Sequence, residues 1–211
     1  MSKRKRQRTR IVDKWTQKVM YNIIAPPEIN SEGRIVGETF SDDPEKLIGR
    51  VIQVPLSDIT GDHSRLYIKL HFQIVDVVGD TAKTRFRGWE YTRDHMRFLV
   101  RRRRSRIDAI INLTTSDGIP VRISATAFTT ARAKTSQQHA IRVIMIDHLK
   151  KRAESTPFNQ FIQDAALGKM SAEINESTRK VFPMKRIEIH KARILIPIEE
   201  ARAALKNSPQ S

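Results

Sequence analysis

Between Arg85 and Arg106 the chain carries nine arginines against two acids, with Phe86, Trp89, Tyr91 and Phe98 set among them. The run Arg101 to Arg104 is uninterrupted. Adjacent guanidinium groups on a folded surface repel one another unless solvent or a polyanion neutralises them. Arginine is also the cation whose planar fork meets phosphate bidentately and stacks on bases. The chemistry on offer is phosphate binding, with Arg85, Arg87, Arg93, Arg97, Arg101, Arg102, Arg103, Arg104 and Arg106 as candidate contacts. Lys3, Arg4, Lys5, Arg6, Arg8 and Arg10 add cations near the start, and Arg132, Lys134 and Arg142 further on. Trp89 and Tyr91 share one strand face by their spacing, where aromatic rings either stack bases or fill a core. Core is the default for a tryptophan in a chain with only two.

Catalytic constellations are missing. His63, His71, His95, His139, His148 and His190 are scattered over different elements, with no HExxH or His-x-His spacing to hold a metal. The eight glycines fall singly, so none forms a phosphate loop. Asp42-Asp43 and Glu199-Glu200 are adjacent pairs whose side chains diverge, which is unsuited to an acid/base dyad. His95 beside Asp94 reads as a surface histidine on a basic helix. No catalytic residue, metal or cofactor is expected.

The charge of the whole chain agrees with the arginine-rich stretch. Its 211 residues carry 39 lysines and arginines against 23 acids, a net charge of +16. An excess of that size points to nucleic acid. No stretch approaches the roughly 18 to 20 apolar residues of a membrane span, and the basic N-terminus lacks the apolar core of a secretory signal. With 39 % hydrophobic residues a sizeable core is within reach, in one domain or two small ones. Cysteine is absent, which removes disulfides and thiolate chemistry and fits a reducing cytoplasm.

Elements must position these cations. Residues 1–13 read as a basic arm too polar to fold alone. Lys14 to Ile24 is mixed, with Trp15 and Tyr21 able to dock on a core, and Ala25-Pro26-Pro27 marks an extended loop. Glu28 to Glu45 carries six acids against Arg34 alone and reads as an acidic loop facing solvent or a protein neighbour. Strands are expected over Arg50 to Leu56, Leu66 to Val78 and Thr81 to Tyr91, with Leu66, Ile68, Leu70, Phe72 and Ile74 inward and arginines on the outer face of the hairpin. Asp117-Gly118 predicts a second hairpin between Ile107 to Thr114 and Val121 to Phe128.

Between the hairpins a helix is expected from about Thr92, with Met96, Leu99 and Val100 toward the core. Arg97, Arg101 and Arg104 then share another face. Beyond a polar linker, Gln137 to Arg152 predicts a helix with Ile141, Ile144, Met145, His148 and Leu149 on one stripe, although Ile141 to Ile146 alone could be a strand. Phe158 to Leu167 and Ser171 to Phe182 read as helices parted at Gly168, Arg186 to Ile196 as a strand, and Pro197 to Leu205 as a last helix. The fold class is α+β: a strand-rich, barrel-like half of antiparallel hairpins, then a helix-rich α/β part, with a basic disordered N-terminal arm. The regions expected are 1–13, 14–128, 129–206 and a frayed tail over 207–211.

Five stretches resemble one family. Leu47 to Ile59 (LIGRVIQVPLSDI), Phe86 to Met96 (FRGWEYTRDHM) and Thr114 to Gly118 (TTSDG) are similar to motifs of an archaeal and eukaryotic small-subunit ribosomal protein family, the eukaryotic-type S-one or S-three-a family. Lys14-Trp15 with Ala25-Pro26, and Ser136, Gln138 and Ile141-Arg142, fit its opening and a later helix start. The matches run in order from about Lys14 to Arg193. The run Arg101 to Arg104 is denser than that family's basic helix, and the chain stops short of the longer eukaryotic tail. The resemblance implies a non-catalytic constituent of the cytoplasmic ribosome that binds small-subunit rRNA. It would lie on the platform near the messenger RNA exit and the rRNA 3′ end, beside neighbouring ribosomal proteins, with direct contact to messenger RNA left open. A free RNA-binding regulator or initiation accessory factor that visits ribosomes is the alternative.

Overall fold

A computed structural model describes residues 15, 18–26 and 33–197. Among them the strands are β1 (Val19–Ile24), β2 (Ile35–Ser41), β3 (Val51–Pro55), β4 (Ile68–Val78), β5 (Thr81–Tyr91), β6 (Arg106–Thr114), β7 (Pro120–Thr129) and β8 (Met184–Ile194). The helices are α1 (Leu56–Thr60), α2 (Arg93–Leu99), α3 (Thr135–Ser155), α4 (Phe158–Leu167) and α5 (Lys169–Arg179).

The strands join in one sheet along the path β2-β1-β5-β8-β7-β6, with β4 on the other edge of β5 and β3 beyond it. Strand β5 is the junction. One of its edges pairs with β4 along its length, while the other is shared between β1, parallel over Thr81 to Lys83, and β8, antiparallel over Gly88 to Glu90. A sheet that branches in this way stays open, so the expected barrel-like half is corrected to an open mixed sheet. The C-terminal strand β8 inserts between β5 and β7, which puts early and late parts of the chain in the same sheet.

One face of β6, β7 and β8 is covered by α3, α4 and α5. Ile107, Ala109, Ile123, Ala125, Ile187 and Ile189 face Ile141, Met145, Leu149, Phe161 and Ile174 in a core that continues to Leu70, Phe72, Phe86 and Trp89. Burying each large apolar side chain contributes about 1.5–3 kcal/mol. Residues 141, 145, 149 and 153 are the buried positions of α3 while 143, 147 and 151 between them are exposed, a pattern that a helix produces and the two-residue period of a strand does not. Trp89, 1 % exposed, is core, and its indole N–H donates to the Ile189 carbonyl at 3.4 Å. A smaller cluster of Tyr21, Ile23, Leu47, Ile74 and Ala82 seats β1.

Several expectations are revised. Lys14 to Ile24 holds strand β1, and the acidic stretch holds strand β2, paired from Val19–Ser41 to Ile24–Ile35. The acids concealed β2 because Glu38 sits on its exposed side while Val36 and Thr39 turn inward. Trp15 is 69 % exposed, so Tyr21 alone of that pair reaches the core. Leu66 precedes β4 and is exposed, whereas Ile68, Leu70, Phe72 and Ile74 are buried as expected. Helix α5 begins at Lys169, two residues earlier than read, because Gly168 takes the left-handed conformation (φ 85°) that ends α4 and starts α5. The helix expected over Pro197 to Leu205 and the frayed tail lie outside the described residues.

The largest revision concerns α2. It stops at Leu99, where Val100 turns extended (φ −73°, ψ 128°) and its N–H closes on the Arg97 carbonyl. The arginine run is therefore a turn, and Arg103 holds a left-handed φ of 60°. No residue of α2 is fully buried: Met96 packs partly on the core, Leu99 is half-buried and Val100 is exposed. Continuing the helix would have stacked Arg97, Arg101 and Arg104 on one face, with no acid within four residues of Arg101 to offset the charge at its centre.

Candidate nucleic-acid interface

Ser105 organises the cations that the structure brings together. Its backbone N–H donates to Thr129 Oγ1 at 2.8 Å, and its carbonyl accepts from the Thr129 N–H at 3.1 Å. Its hydroxyl accepts from the Ala133 N–H at 3.1 Å and from Gln138 Nε2 at 3.4 Å. These bonds fasten the arginine turn to the linker that carries Arg132 and Lys134 and to the first turn of α3. Lys134 precedes α3, its N–H donating to Gln137 Oε1 at 3.0 Å. Arg142, two turns along, donates from Nε to the Asp108 carbonyl at 2.9 Å. Arg104, Arg106, Arg132, Lys134 and Arg142 so gather at one corner, where the positive end of the α3 dipole adds to their field.

The corner's charge is largely uncompensated. Arg106 pairs with Asp108 at 3.0 Å. Among the described residues Arg101, Arg102, Arg103, Arg132 and Lys134 make no ion pair. Arg101 lies over the exposed Phe98 ring, its guanidinium carbon 4.8 Å from the centroid. Arg104 Nη1 is out of solvent with no hydrogen-bond partner. Such groups are chemically suited to a ligand with several anionic oxygens.

Other expected contacts sit elsewhere. Arg93 and Arg97 are exposed on α2, one connection from the turn. Arg85 is half-buried and donates to Gln73 Oε1 at 2.8 Å and to the Ile196 carbonyl at 3.1 Å, beyond the far end of β8 from the corner. Arg87 is half-buried at the register shift of β5. Lys3, Arg4, Lys5, Arg6, Arg8 and Arg10 lie outside the described residues. His95 is not a surface histidine: its ring stacks on Tyr67 at 3.9 Å, and burial holds it below its ordinary value.

Three contributors escaped the reading of the sequence. Ser105 and Thr129 are the latch, and nothing in a lone serine or threonine signals bonds to partners far along the chain. Arg186 belongs to the same row, since Phe128 is in register with Arg106 on one side and Arg186 on the other. The Lys185-Arg186 pair in a late strand was the available signal. The Asp117-Gly118 turn also does more than close a hairpin. Asp117 Oδ2 accepts from the Phe158 N–H at 2.7 Å and so caps α4.

A mixed open sheet with helices on one face, carrying unpaired arginines at one corner, has the make-up of a scaffold that holds a polyanion. The family model of the ribosomal S3Ae family matches residues 6–197, and the chain belongs to that family. It is 42 % identical over 196 residues to small ribosomal subunit protein eS1 of Staphylothermus marinus, covering 92 % of each chain. The same protein of Archaeoglobus fulgidus is 41 % identical over 200 residues, 94 % of each chain. That of Methanopyrus kandleri is 43 % identical over 187 residues, 87 % of this chain and 88 % of its own.

Proposed function

We propose that this chain holds small-subunit ribosomal RNA by neutralising its phosphates and fitting its shape. It is a structural, non-enzymatic constituent of the small subunit of the cytoplasmic ribosome and serves translation, as its family and relatives support. Its partners are small-subunit rRNA and neighbouring ribosomal proteins. The position we assign is the platform, near the messenger RNA exit and the rRNA 3′ end, on the resemblance carried by LIGRVIQ, YTRDHM and TTSDG.

The observation that carries the mechanism is the latch at Ser105. It fixes a turn of consecutive arginines against Arg132, Lys134 and the start of α3, leaving most of those cations without a carboxylate. Prepaid placement of this kind favours binding, because holding like charges together has already been offset by folding. The test is sedimentation of a tagged chain through moderate salt, with crosslinks mapped from the turn. Co-sedimentation with small subunits and crosslinks from Arg101 to Arg104 into their RNA are expected. Sedimentation with free protein would overturn the reading in favour of a transient regulator or initiation accessory.

A further inference from the structure

Three adjacent rows of side chains run in register across six strands of the sheet. The middle row is core: Val54, Leu70, Trp89, Ala192, Ile123 and Ile111 pair in turn from β3 to β6 and pack under the helices. Successive side chains along a strand point to opposite faces, so the rows on either side of it face away from α3, α4 and α5. One of these rows is Gln53, His71, Gly88, Arg193, Arg122 and Asn112. The other holds Lys69, Glu90, Lys191 and Ser124. Six strands about 4.8 Å apart make this a strip about 24 Å long.

The strip is cationic at a cost to the chain. Arg122 and Arg193 stand directly opposite each other, and both are exposed. Like charges directly opposite in a sheet are destabilising. Among the described residues neither arginine makes an ion pair, nor does Lys69, and Arg122 Nε donates to the neutral Asn112 Oδ1 at 2.8 Å. Glu90, the one acid of the two rows, is taken by Lys191 at 2.9 Å. At its β3 end the strip opens into a cleft of ≈ 490 Å³, lined by Lys69 and His71 from the sheet and by Arg93, Asp94 and Arg97 from α2.

This face is separate from the arginine turn, since Asn112 lies six residues along β6 from Arg106, about 20 Å. It also lacks the apolar anchor that protein partners bury at the centre of an interface. Ile110, the large exposed apolar side chain of the two rows, sits on the edge strand β6, and the centre is polar. Arg122, Arg193, Lys69 and Lys191 offer cations to phosphates. Asn112 and Gln53, at the two ends, offer amides to ribose hydroxyls. Such contacts hold RNA helices without reading bases.

We propose that the helix-free face of the sheet is a second RNA-binding surface, on which the backbone of a double-helical RNA segment lies across the strands from Gln53 to Asn112. The inference rests on the RNA-binding reading above and adds to the basic corner a second grip on the same partner.

The test follows binding of the full chain to deproteinised small-subunit rRNA as salt is raised. Arg122→Gln together with Arg193→Gln should lower the logarithmic salt slope by about 1 to 2, since each phosphate contact adds about 0.9 on duplex. Lys150→Gln together with Lys151→Gln removes the same charge from exposed positions of α3 and should leave the slope unchanged. The arginine variant should melt no lower than the unaltered chain, because a repulsive pair has gone. A photocrosslinker at Asn112 should reach RNA in assembled small subunits. An unchanged slope, an equal fall in the lysine control, a lower melting temperature, or crosslinks from Asn112 only to a protein overturns the proposal. In each of those cases a slope that still flattens on replacing Arg101 to Arg104 leaves the wider reading standing. An unaltered chain that binds no rRNA overturns both.

Discussion

A side chain at Gly88 would meet the Ala192 carbonyl oxygen 2.1 Å from its Cβ. Gly88 lies where β5 crosses from β4 to β8, with a φ of 150° that L side chains rarely adopt, and its neighbour Arg87 is the extra residue of a bulge opposite His71 and Phe72. The two backbones approach this closely because β5 must serve both strands at once. Gly88→Ala is expected to destabilise the chain by about 3 kcal/mol or more, through strain together with displaced sheet pairing. Urea unfolding measures it. Gly37→Ala is the control, since its nearest neighbour is the Ile23 Cδ1 atom at 3.9 Å. It should shift stability by less than about 1 kcal/mol.

Replacing Arg101, Arg102, Arg103 and Arg104 together by glutamine should weaken association with rRNA and flatten its dependence on salt. Each phosphate contact adds about 0.9 to the logarithmic salt slope on duplex and about 0.7 on a single strand. Thermal unfolding should not fall, because the turn is mostly exposed and the substitution relieves repulsion. An unchanged slope would show that these side chains face solvent in the bound state.

Ser105→Ala removes no charge, yet should loosen the basic corner. It leaves the Ala133 N–H, on a residue only 5 % exposed, without its acceptor. The expected loss is about 1–3 kcal/mol of stability. Faster hydrogen exchange at Ala133 would locate the effect, and weaker RNA binding at constant net charge would tie the latch to the interface. Binding that stays at the level of the unaltered chain would separate the two.

Three histidines set the response to acid. His71, His95 and His190 are each held below the ordinary 6.5 mainly by burial, opposed in turn by Glu90, Glu188 and Asp108. The unfolded chain takes up these protons near 6.5, the folded chain only at lower pH. Their contribution to stability is therefore complete above the unfolded value and is lost as pH falls through and below it. Melting temperature should drop between about pH 7.5 and about pH 5, before most carboxylates titrate. His190→Gln, which can keep a hydrogen bond to Thr126 Oγ1 (3.2 Å from Nδ1 in the fold), should lessen the slope. A slope identical to that of the unaltered chain would exclude His190 as a source.

What could be read directly was whatever depends on near neighbours in the chain. The alternation of Ile68, Leu70, Phe72 and Ile74, the Asp117-Gly118 turn, the spacing of Ile141, Met145 and Leu149, and the boundaries of α4 all follow from backbone geometry within a few residues. The motifs around Gly49, Arg93 and Asp117 brought the family with them, and the arginine excess pointed to a polyanion.

The tertiary structure alone decided how those pieces join. Strand β1 is mixed in composition and β2 lies in an acidic stretch, so β2 is held by pairing with β1, and β1 by pairing with β2 and β5, rather than by a strong local pattern. The end of α2 at Leu99 depends on a turn latched at Ser105, whose bonds reach residues 24, 28 and 33 positions away. The insertion of β8 beside β5 requires a glycine at residue 88, against the Ala192 carbonyl, and it also sets Arg186 and Glu188 across from α5. Periodicity encodes which face a residue takes. It does not encode which distant strand or hydroxyl lies on the other side, because that choice is made by the packing of the whole chain.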